Sequence, residues 1–172
     1  MKIVTTPMCE EIVRLAGITD YVVNKFPDEE DGDLAILLSE SKVEMESLPI
    51  KLNTPSQVFE SIKKVSEIAG TELSDEDVKA FFRGYDISCK YLNSDFKRDV
   101  DVKVYSEFLK DIVLDVGFNI VEENPDFVVY PDYLKEKVQE TDNLVEIPSH
   151  NFVSKNPFER IEARYSILEN LI

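Results

Sequence analysis

Val4-Thr5-Thr6-Pro7-Met8-Cys9-Glu10-Glu11-Ile12-Val13-Arg14-Leu15-Ala16-Gly17-Ile18 returns 100 residues later as Val104-Tyr105-Ser106-Glu107-Phe108-Leu109-Lys110-Asp111-Ile112-Val113-Leu114-Asp115-Val116-Gly117-Phe118. Each stretch reads as a short apolar strand, a polar turn, an amphipathic helix and a terminating glycine. A second apolar run follows each copy, Tyr21-Val22-Val23 in the first and Asn119-Ile120-Val121 in the second. A doubled strand-and-helix unit predicts an α/β fold of two small Rossmann-like lobes with mainly parallel sheets. Two lobes predict a cleft between them.

Outward from the first copy, residues 2–6 read as a buried strand, with Thr6 as a hydroxyl cap and Pro7 opening the helix. Asp33-Leu34-Ala35-Ile36-Leu37-Leu38 is the continuous apolar run that a parallel strand covered on both faces requires. Residues 49–52 form a further short strand, and Thr54-Pro55 repeats the cap-plus-proline device. The helix it opens carries Val58, Ile62, Val65 and Ile68 and stops at Gly70.

The second copy continues in the same way. Asp126-Phe127-Val128-Val129-Tyr130 matches the 33–38 strand, a helix runs from Pro131 to about Gln139, residues 144–147 form the last strand, and Asn156 caps the last helix. Between the copies, Val78, Phe81, Phe82, Tyr85, Cys89, Leu92 and Phe96 recur at three or four residues after a capping Ser74. That spacing predicts one long helix from 74 to about 96, with Cys89 on its apolar face. It would be roughly 30 Å long at about 1.5 Å per residue. Gly84 inside it costs about 1 kcal/mol relative to alanine. The expected division is a lobe at 1–73, a linking helix at 74–98 and a second lobe at 99–172.

With 35 acidic against 19 basic residues the net charge is −16, and no basic patch is concentrated anywhere. That charge argues against nucleic acid and anionic membrane as partners. No apolar run reaches the roughly 18–20 residues of a membrane span, and Lys2 is followed at once by a core strand rather than a leader, so the expected compartment is the cytoplasm. Two cysteines make no disulfide framework. The lack of tryptophan, with little glutamine and abundant Glu, Lys, Ile and Val, resembles thermophile usage. The chain has no glycine-rich nucleotide loop, Walker lysine, C-x-x-C, H-E-x-x-H or G-x-S-x-G.

In open parallel sheets ligands gather beyond the carboxyl ends of the strands. That rule selects Thr5, Thr6 and Cys9, the triplet Ser39-Glu40-Ser41 and residues 53–56 from the first half. From the second it selects residues 105–106, Tyr130, Asp132, Ser149, His150 and Asn151. Cys9, in the first turn of its helix, is placed for a lowered thiol pKa and for a soft metal, although a small packing residue would fit there too. His150, the only histidine, is the second candidate metal ligand and a possible proton carrier.

The element pattern resembles the cobalamin- and siderophore-binding type of substrate-binding protein, in which two Rossmann-like lobes are joined by a rigid helix. The residues carrying the resemblance are Lys2-Ile3-Val4, Leu15-Ala16-Gly17-Ile18, Tyr21-Val22-Val23, residues 33–38, Pro49-Ile50, Asn53-Thr54-Pro55 with the helix at 58–70, Asn124-Pro125-Asp126-Phe127-Val128-Val129 and residues 144–147. The resemblance implies a short cytoplasmic relative that holds a small ligand, a metal complex, a tetrapyrrole or another metallocofactor between its lobes without catalysis. The architecture is also similar to that of chelatases, which implies a second possibility, His150 working with Glu40 or Asp132 on metal and protons. A third possibility is an assembly factor with a protein partner, its cleft plugged by Phe152, Tyr105 or Met8.

Overall fold

A computed structural model describes residues 1–172. β1 (Ile3–Thr5), β2 (Tyr21–Val23), β3 (Leu34–Leu38) and β4 (Ser47–Ile50) form one parallel sheet in the order β2-β1-β3-β4. β5 (Asp101–Val104), β6 (Asn119–Ile120), β7 (Phe127–Pro131) and β8 (Leu144–Ile147) form a second in the order β6-β5-β7-β8. Every pairing is parallel, and the two orders are the same. The chain leaves the first strand of each sheet to one side and returns on the other, so the switch points lie between β1 and β3 and between β5 and β7. β3 and β7 are the apolar central strands, each buried along four of five residues.

The helices are α1 (Glu10–Leu15), α2 (Pro55–Ala69), α3 (Asp75–Ala80), α4 (Asp86–Tyr91), α5 (Glu107–Val116) and α6 (Pro157–Glu169). Thr54 opens α2 with a reciprocal capping box to Gln57, and Ser106 caps α5 through Leu109 N–H. Thr6 caps nothing. Residues 6–9 form a turn closed by Cys9 N–H to Thr6 O, and α1 begins only after Cys9, with no side-chain cap. The fourth strand of the first lobe lies two residues earlier than expected, and the stretch after Pro131 is a 3-10 turn, Asp132–Lys137.

The single helix expected over 74–96 is two short ones. Gly84 adopts a left-handed φ of 89° and turns the chain between α3 and α4. The break is held from outside. The free N–H groups of Ile87 and Ser88 donate to the Glu162 carboxylate on α6, at 3.2 and 3.0 Å. Phe158 stacks on Tyr85 and meets Phe82 edge-on, both at 4.9 Å between centroids. The break also changes the helical phase, so Cys89 is exposed rather than packed in the core, while Ser88 and Tyr91 are buried.

α6 packs on α2, α4 and α5 and so touches elements of both halves. A helix of this kind joins the lobes where a rod was expected. The molecule has no helix long and apolar enough to cross a membrane.

Candidate functional site

The strand-end loops of the two sheets face one another across a cleft of about 400 Å³. The first lobe contributes Ser39, Glu40, Lys51 and Asn53. The second contributes Ser106, Glu107, Phe108, Asp111, Tyr133, Ser149 and His150. Two polar bridges cross it. His150 Nε2 lies 3.6 Å from Glu40 Oε1. Asp111 Oδ2 accepts from Asn53 Nδ2 at 3.1 Å and Gln57 Nε2 at 3.0 Å, with Lys51 Nζ at 3.7 Å. The neighbouring His150 imidazole holds the Glu40 carboxyl below the usual carboxylate range against the opposing effect of burial.

His150 is positioned from behind. Its ring stacks at 6.3 Å on Phe108, and the Arg164 guanidinium lies 5.0 Å from the Phe108 ring centre. Asp132 does not line the cleft. Its Oδ2 accepts from Ser149 N–H at 3.0 Å and so fixes the turn that presents His150.

Of the residues selected from the sequence, Ser39, Glu40, Asn53, Ser106, Ser149 and His150 meet in the cleft. The others do not. Thr5 is fully buried and donates to Ile36 O at 2.8 Å. Thr6 and Ser41 border a separate depression beside Lys25 and Phe26. Tyr130 is buried inside β7, and Asn151, exposed on the one-turn 3-10 helix that begins at His150, does not line the cleft.

Cys9 is the clearest correction. It is 0% exposed, and burial pushes its thiol up to about 11, outweighing the Thr6 hydrogen bond and the Arg160 charge that favour thiolate. Cys9 is sealed inside the first lobe and does not line the cleft with His150. Phe152, 75% exposed, plugs nothing, and neither Tyr105 nor Met8 lines the cleft.

Lys51, Glu107, Phe108, Asp111 and Tyr133 escaped the sequence reading. Lys51 follows a strand without a turn signal, and Asp111 lies a turn inside its helix. Asn53 and Ser106 fall in loops that the strand-end rule had selected.

The donors suit some ligands and not others. His150 and Glu40 are two ligating side chains, no cluster of three or more His, Cys, Asp or Glu forms, and a protein zinc site needs at least three. Two of the eleven lining residues are hydrophobic, whereas sites for large flat ligands are mostly apolar. A bare metal ion and a tetrapyrrole both fit the lining poorly.

No protein-family model and no curated protein sequence matches the chain. Solved structures match its fold. The periplasmic vitamin B12 binding protein BtuF of Vibrio cholerae superposes with a TM-score of 0.58 at 10% identity, over 99% of this chain and 96% of that one. A Zn(II)-bound variant of AdcAII of Streptococcus pneumoniae gives 0.57 at 13% identity, over 99% and 97%. The chain thus shares its two-lobe α/β fold with both, each lobe built here on a small all-parallel sheet.

Proposed function

We propose that this chain is a bilobal binding protein that holds a small, polar, hydrogen-bonding ligand between its lobes without transforming it. The observation that carries the proposal is the cleft at the strand ends of both sheets, lined by hydroxyls, amides and charges of both signs and spanned by His150 and Glu40. The bridges that cross it are partly exposed, and such pairs contribute about 0–1 kcal/mol each. A ligand that replaces their hydrogen bonds can therefore part or close the lobes at small cost. BtuF and AdcAII, whose ligands are vitamin B12 and zinc, lend support to ligand holding in this architecture. In this cleft a metal is best accommodated inside a polar complex that brings its own ligands.

Calorimetric titration with small polar metabolites, cobalamin, haem and zinc tests this. Saturable binding of a polar solute is expected, weakened about tenfold by His150→Ala and by Asn53→Ala, the loss of one charge-assisted hydrogen bond each. Absence of binding across the panel, or affinities untouched by both substitutions, defeats the proposal.

The His150–Glu40 pair also supports a second reading, a chelatase-like enzyme. At 3.6 Å the pair is longer than the roughly 2.6–3.2 Å of direct proton transfer, so the cleft would have to tighten. Metal insertion into a porphyrin that disappears in Glu40→Gln would favour it.

A further inference from the structure

Two arginines of α6 lie behind the cleft wall without an ion-pair partner. Arg160 is 1% and Arg164 2% exposed, one helical turn apart. In a chain with 35 acidic residues, no ion pair includes either guanidinium. Arg160 Nη1 donates to the carbonyls of Ser154 and Lys155, at 3.2 and 3.0 Å, and lies 4.0 Å from Met8 Sδ of the first lobe. Arg164 Nε donates to Pro148 O at 3.1 Å. Arg160 Nε and Arg164 Nη2 are buried and bond to nothing in the protein. Burial pushes both guanidinium groups down to about 10, and at Arg164 the neighbouring Arg160 charge adds to it. Both stay protonated at neutral pH.

Such an arrangement is costly, since a buried charge needs a partner and an orphaned donor loses its hydration for nothing. The position gives it a use. Arg164 bonds the carbonyl preceding Ser149-His150 and sits over Phe108, all three on the cleft wall. Asp132, whose Oδ1 is also buried without a partner, acts on Arg164, and Glu40 acts on both arginines, but neither carboxylate lies within ion-pair distance of them.

We propose that Arg160 and Arg164 form the anion-binding floor of the cleft, taking a phosphate or carboxylate group of the ligand that enters past the His150–Glu40 pair. This rests on the binding role above and names the ligand's charged end. The Glu40 and His150 side chains are 56% and 39% exposed, so they can swing aside, and Glu40 then competes with the incoming anion.

The test follows the arginine side-chain Nε–H signals of the full chain by NMR while inorganic phosphate, and separately citrate, is added at constant ionic strength. Arg160 is expected to shift saturably, beyond the exposed Arg14 and Arg83. Glu40→Gln is expected to tighten phosphate about three- to tenfold by removing a nearby like charge. Arg164→Lys is expected to weaken it at least about fivefold, since lysine lacks the planar fork. Should that variant not fold, the Arg160 signal and Glu40→Gln still decide. Saturation by phosphate alone assigns a phosphate group, and by citrate alone a carboxylate. Shifts equal to those of Arg14 and Arg83, or an unchanged affinity in Glu40→Gln, overturn the subsite. Backbone signals of Ser39, Asn53 and His150 that respond to a neutral polyol while the arginines ignore both anions overturn the subsite and leave the binding role standing. Silence of all these signals to every solute overturns both.

Discussion

The two lobes share a sheet order and differ at the end that matters for binding. In the first, the turn after β1 folds inward, Cys9 is sealed, and α1 has six residues with no side-chain cap. In the second, Ser106 caps a ten-residue α5, and Ser106, Glu107 and Phe108 line the cleft. The chemical role of the first lobe has passed to the loop after β3, where Ser39 and Glu40 stand. The lobes are alike where burial demands it and differ in the strand-end loops.

The equivalence of the cores can be broken directly. Ile12 and Ile112 occupy matching positions and are both 0% exposed. Each should lose about 2–5 kcal/mol on truncation to alanine, read as a lowered urea midpoint. A loss under 1 kcal/mol at one of them would show that the lobes are not packed alike.

The helix-ending glycines sharpen the comparison. Gly117 has a φ of 98°, and a Cβ there would lie 2.6 Å from the backbone oxygen of Phe96. Gly17 has a φ of 95°, but its Cβ would meet the methyl of Thr71, a side chain that can rotate. Gly117→Ala should cost about 1–3 kcal/mol, and more than Gly17→Ala, in the same measurement. Equal costs would mean that the strand-entry backbone at Phe96 yields as readily as a side chain.

One electrostatic device belongs to the second lobe alone. Glu140 accepts from Lys103 Nζ and Tyr105 Oη, at 2.8 and 2.7 Å, and these bonds hold its carboxyl down at about 2. A carboxyl depressed in the folded state stabilises above its unfolded pKa of about 4.5 and loses that contribution as pH falls towards 2. Glu140→Gln should therefore flatten the stability profile between about pH 4.5 and 2 and leave its shape above pH 6 unchanged. An acid limb identical to wild type would show the contact to be without effect.

The smallest expected change is in reactivity. At pH 8 the thiol of Cys9, up at about 11, is almost entirely protonated and sealed, whereas Cys89 is exposed. Mild alkylation of the folded protein should label Cys89 alone, as peptide mass mapping reads. Early labelling of Cys9 would mean that the first lobe opens at its strand ends.

The doubled architecture was legible because continuous apolar runs such as Leu34–Leu38 admit few alternatives to a parallel strand covered on both faces. The strand-end rule found Ser39, Glu40, Asn53, Ser106, Ser149 and His150 because it depends on topology alone. The broken linker was hidden for a physical reason. The spacing from Val78 to Phe96 suits one helix, and what stabilises the kink at Gly84 is a carboxylate 75 residues downstream of Ile87. Cys9 misled because a helix terminus and burial act in opposite directions on a thiol, and burial cannot be read from the turn sequence. Arg160 and Arg164 were invisible because arginine on an amphipathic helix reads as a solvent-facing residue.

The cap that Glu162 supplies to Ile87 sets an order of assembly. Ribosomes add about 5–20 residues per second, so the hinge region waits on the order of 4–15 s for its 75-residue-distant partner to be synthesised. During that interval the first sheet can already have formed while Phe82 and Tyr85 still lack the aromatic ring of Phe158. The nascent chain thus passes through a stage of one folded bead trailing a sticky thread, the stage at which a chaperone would have most to grip.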